Sequence, residues 1–221
     1  MNWASAARVD DLIKSLGRPA WQVRPLSWRG LALAILVAGP LYGAVMGSFA
    51  LESSHRLLMV LYAAVKMPLL ILVTGALCLP GFFVLNTVLG LRDDLGRALR
   101  AILAGQAALV IALASLAPLT RLIYLSGVTH RGAILTNAMM FTVATVVSQV
   151  VLWRHYRPLV AVSRRHLVTL WFWLVMYAFV GMQMGWMLRP FIGTPEYAVT
   201  FFRDEPFSNA YVVIARLIVG N

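Results

Sequence analysis

The chain has 221 residues, of which 61% are hydrophobic and 12% charged, with a mean hydropathy of +0.80. Soluble domains do not reach such values, so an integral membrane protein is predicted. The formal charge of +11 would suggest nucleic acid in a soluble protein. Here the basic residues flank apolar runs, as topogenic arginines near headgroups do, and no nucleic-acid partner is expected.

The apolar runs are mostly long and apolar on all sides, whereas barrel strands would alternate in polarity over about ten residues. The expected fold class is an all-α polytopic transmembrane helical bundle of about five spans, with amphipathic surface helices at both ends. Residues 1–29 form the first of these. Val9, Leu12, Ile13 and Leu16 recur at helical spacing, charged residues surround them, and Gly17 with Pro19 supplies a stop. This segment is read as cytoplasmic and amphipathic. A signal peptide is not expected, because a long charged leader precedes a full span.

The first span covers 30–51 and carries Gly39, Gly43 and Gly47 on one helix face. Without side chains there, another helix of this chain or of another subunit can approach closely. The next stretch, 57–91, contains Lys66 as its only charged residue. As one straight helix it would run to about 50 Å, against a hydrocarbon core of about 30 Å. Pro68 and Pro80-Gly81 offer breaks. The reading is therefore an interfacial lead-in over 57–67, a second span over 68–91 and a kink at Pro80-Gly81.

A mixed-charge connector follows, in which Asp93 and Arg97 stand at pairing distance along a helix. The third span, 101–120, is rich in small residues and holds Gln106; the fourth, 133–153, holds Asn137, Ser148 and Gln149. The fifth, 167–188, opens on Trp171, Phe172 and Trp173, suited to an interfacial aromatic belt, and closes on Gly181, Gln183 and Gly185. The spans together make one transmembrane domain, 30–188. The tail, 189–221, is read as non-cytoplasmic, with a short interfacial helix over 210–219. With the amino terminus inside, twelve of the nineteen Lys and Arg residues fall on the cytoplasmic side. That predicts a multi-pass protein of the bacterial inner membrane with a cytoplasmic amino terminus.

Chemistry is sparse. His55, His130, His155 and His166 sit at predicted span ends, which suits headgroup contact and gives no ligand pattern for metal or haem. Cys78 is the single cysteine, and no acidic residue lies inside a span. No enzyme activity, cofactor or metal is expected. The polar residues at depth, Asn86, Gln106, Asn137, Gln149 and Gln183, fit either interhelical hydrogen bonds or a polar path for a small solute. Lys66 and Arg189 are candidates for contact with an anionic group or lipid headgroup.

Three phrases carry a resemblance: Ala64-Val65-Lys66-Met67-Pro68-Leu69-Leu70 running on to Leu79-Pro80-Gly81-Phe82-Phe83-Val84-Leu85-Asn86, then Gly185-Trp186-Met187-Leu188-Arg189-Pro190-Phe191-Ile192-Gly193, then Phe202-Arg203 with Asn209-Ala210-Tyr211. Together they resemble a group of uncharacterised bacterial polytopic membrane proteins, some loosely labelled Yip1-like. The resemblance implies about five spans and no particular activity. The Asp-Leu-Tyr-Gly-Pro motif of the Yip1 family is absent, with Gly39-Pro40-Leu41-Tyr42-Gly43 the nearest phrase. The expected function is a non-catalytic subunit or scaffold of a larger inner-membrane complex, with a small-solute channel or permease as the alternative. Expected partners are other membrane subunits, anionic lipids or further copies of the chain.

Overall fold

The computed structural model describes residues 27–50, 57–193 and 199–202. Both predicted surface helices, within 1–29 and 210–219, lie outside the described residues or nearly so. The described chain is all-α and contains five helices long and apolar enough to cross a membrane: α1, Trp28–Gly47; α2, Leu57–Val88; α3, Leu95–Leu125; α4, His130–Val162; and α5, Arg165–Met187. Short 3-10 turns at Ser48–Ala50 and Arg92–Asp94 follow α1 and precede α3.

Local chemistry accounts for the helix ends. Ser27 caps α1 by accepting from the Gly30 N–H at 3.1 Å, and Thr129 caps α4 by accepting from Gly132 at 3.2 Å. α2 stops where Gly90 adopts φ of 71°, a left-handed conformation that costs glycine little, and the Leu91 N–H returns to the Asn86 carbonyl at 2.8 Å.

The expected division at Pro68 is corrected. α2 is continuous from Leu57 to Val88, with Pro68 and Pro80 both inside it. An interior proline forfeits a backbone bond, but ending a helix there would leave several polar groups without partners in lipid. Pro68 also packs against α1, where a Cβ added to Gly39 would stand 3.5 Å from its ring, an ordinary contact distance. α3 and α4 likewise run past the predicted limits of 101–120 and 133–153.

The helices pass alternately up and down. At one end Arg165 Nη1 donates to the Leu89 carbonyl at 3.2 Å, and the Arg100 guanidinium lies 5.5 Å from the Trp28 ring. At the other, Arg121 Nη1 donates to the Ser48 carbonyl at 3.0 Å, and Phe49 meets the Tyr124 ring edge to face. α1 occupies the middle, packed between α2 and α3. α4 lies along α3, and α5 lies along α2.

Two apolar cores result. Leu31, Ile35, Tyr42, Met67, Ala107, Leu113 and Ala144 join α1 to α4, and near the Arg165 end Phe82, Ile102, Tyr156 and Trp173 join α2 to α5. Trp173 therefore belongs to the core, stacked on Tyr177, while Trp171 is exposed.

Candidate functional site

The polar residues foreseen at depth do not converge on one site. Asn137 is the centre of the densest group. Its Oδ1 accepts from the Tyr42 hydroxyl at 2.9 Å, while its Nδ2 donates to Tyr124 Oη and to the Ala133 carbonyl of its own helix. One amide thus joins α1, α3 and α4, and the geometry satisfies it fully.

Gln106 lies in a different layer. Its side-chain amide is laid over Gly75, where an added Cβ would come within 3.1 Å of Nε2, so α2 leaves room for it by lacking a side chain. Beside it the Tyr177 hydroxyl of α5 reaches the Ile71 carbonyl at 3.4 Å, and Thr74 faces Gly181. On the far side of α3, Ser148 donates to the Gly105 carbonyl at 2.8 Å. Asn86 is buried and donates to the Phe82 carbonyl of its own helix at 2.8 Å. Gln183 is half-buried on α5, and Gln149 is exposed on the outer side of α4.

Lys66 is placed differently from the headgroup position expected of it. It is fully buried, and its ammonium donates to the Pro190 carbonyl at 2.8 Å, 4.8 Å from the Phe201 ring centre. Its stem is long enough to reach solvent, but the segment after α5 covers it and replaces water with a carbonyl and aromatic faces. Phe201 also meets Tyr62 edge to face, so the cover is fixed to α2 at two levels. Arg189 stacks its guanidinium on Trp186 at 3.5 Å.

The glycines of α1 are used within the chain. A Cβ on Gly43 would fall 2.9 Å from Ala64 Cα, and one on Gly47 would fall 2.7 Å from Val60 Cα. Backbone is in contact with backbone there, which only glycine permits. A Cβ on Gly185 would meet nothing within 4 Å, so α5 makes no comparable contact there among the described residues.

One feature went unseen in the sequence. His166, expected at headgroups, is fully buried, and its Nε2 stands 3.1 Å from Asp94 Oδ2. The other carboxylate oxygen pairs with Arg97, so that arginine takes Asp94 and not the expected Asp93. Tyr156 and Thr169 exchange a hydroxyl hydrogen bond at 2.9 Å next to this pair. These contacts fasten the turn before α3 to the start of α5. A separation of 72 residues left no local signal for the pairing.

No group of three or more His, Cys, Asp or Glu side chains suited to a metal occurs among the described residues. Comparison with protein-family models, curated proteins and solved structures gives no match.

Proposed function

We propose that this protein is a non-catalytic subunit or scaffold of a larger assembly in the bacterial inner membrane, with its amino terminus in the cytoplasm. One observation carries the reading. Inside the bundle, Asn137, Gln106 and Ser148 are each absorbed at separate helix contacts, whereas Gln149 presents a primary amide on the outer face of α4. An amide facing hydrocarbon without a partner is costly, and a neighbouring transmembrane helix removes that cost.

The orientation is supported by charge. Arg29, Arg92, Arg97, Arg100, Arg154, Arg157, Arg164 and Arg165 gather at one end, against Lys66, Arg121, Arg131 and Arg189 toward the other. The channel alternative relied on a shared polar path, and the separate use of these residues favours the subunit reading over it.

Extraction in mild detergent followed by native mass measurement tests the proposal. The expected result is a complex heavier than the 24.4 kDa chain. A lone monomer, found also after extraction directly into lipid nanodiscs, overturns it.

A further inference from the structure

We propose that α4 pairs with the α4 of a second copy of this chain, through a stripe formed by Leu135, Met139, Thr142, Val146, Gln149 and Trp153. This rests on the subunit reading and names the partner.

The six positions are spaced alternately by four and three residues, which keeps them on one side of a helix and matches the seam along which two helices pack side by side. All six are exposed. Ala144, Ser148 and Val151, which face α3, lie on the other side; at about 100° per residue, Gln149 stands about 140° around the helix from Ala144. The stripe is therefore left open by the packing of the described residues.

Gln149 fixes the character of the stripe. Its neighbour Ser148 bonds to Gly105 in the layer where Gln106 meets Gly75, and Arg154 is five residues further along, about 8 Å nearer the basic end. The amide is thus held within the hydrophobic layer. It makes no hydrogen bond to another described residue. Thr142, two turns away, has its hydroxyl turned back to the Ala138 carbonyl at 2.8 Å. That leaves a small, satisfied side chain at which another backbone can come close.

A primary amide both donates and accepts, so it is complementary to itself. Copies of one membrane protein insert with the same orientation, and a twofold axis along the membrane normal sets each residue of the stripe beside its own counterpart at equal depth. Gln149 then meets Gln149, and Nε2–H to Oε1 bonds can form in both directions. A different protein would need its own donor and acceptor at that depth, whereas a second copy supplies them by symmetry.

Cysteine crosslinking of the full chain in phosphatidylethanolamine and phosphatidylglycerol vesicles tests this. Buried Cys78 leaves the parent chain as the background control. With copper phenanthroline as oxidant, Val146→Cys and Thr142→Cys should give a disulfide-linked dimer, while Val175→Cys, on the exposed side of α5, should not. Adding Gln149→Leu to Val146→Cys should lower the dimer yield about tenfold, and Gln149→Asn, which retains an amide, should keep it within about threefold. Equal crosslinking at Val146 and Val175, or a yield indifferent to Gln149→Leu, overturns the proposal. So does failure to crosslink in vesicles. In that case, crosslinking of Val146→Cys to a different polypeptide in native membranes would leave the subunit reading standing, and a lone monomer in the native mass measurement would remove both.

Discussion

α1 and α4 are both apolar spans with polar or small residues at regular spacing, yet the chain treats them in opposite ways. α1 lies between α2 and α3, with its glycines against the α2 backbone and its Tyr42 hydroxyl on Asn137. α4 commits one side to α3 and leaves the other open, Gln149 included. The difference teaches that in lipid a glycine face can be fully used within one chain. An exposed amide is the feature that calls for something outside it.

The comparison is most severely strained by filling the α1–α2 contact. Gly43→Leu should destabilise the bundle by about 3 kcal/mol or more, because the overlap is with backbone that cannot move aside. Gly185→Leu, in open space, should stay within about 0.5 kcal/mol of the parent. Thermal aggregation in one detergent would order the two, and equal losses would contradict the assigned packing. Next in size is Asn137→Leu, which leaves the Tyr42 and Tyr124 hydroxyls without their shared amide and should cost about 1–2 kcal/mol in the same assay.

Lys66→Met should change overall stability by about 1 kcal/mol or less, since a buried cation is traded for an apolar group of similar shape. Its distinctive effect should be local: chymotrypsin should cut after Phe191 several times faster once the ammonium no longer holds the Pro190 carbonyl. An unchanged cleavage rate would show that the aromatic contacts suffice. The smallest effect belongs to α4. Gln149→Leu should leave the stability of the detergent-solubilised monomer within about 0.5 kcal/mol, as an exposed residue bonded to no described neighbour would. A large loss would place Gln149 inside the fold and remove its assigned part in association.

Much of the architecture could be read directly from the residues. Long apolar runs marked out five helices, because lipid demands that each helix satisfy its own backbone. The α1 glycines were equally plain as a close-packing face, but spacing alone could not say which helix they would meet. Pro68 misled because sequence shows the lost backbone bond and hides the Gly39 surface that receives the ring. Lys66 was misplaced for a related reason: its cover comes from a carbonyl 124 positions away. Asn137 was identified as polar at depth, while Tyr42 and Tyr124, its partners, gave no signal within their apolar runs. Asp94 and His166 looked like surface residues because each is flanked by charge.

The connection pattern also bears on how the chain matures as it leaves the ribosome. α1 with α2, and α3 with α4, are neighbours in sequence as well as in space, so each hairpin can close soon after its second helix is inserted. α5 must return to α2 across two intervening spans. Until it arrives, Phe82 lacks Trp173 and Lys66 lacks the Pro190 carbonyl. The two hairpins are already joined where α1 meets α3, so synthesis of the last helix is the step that completes the second core and covers Lys66.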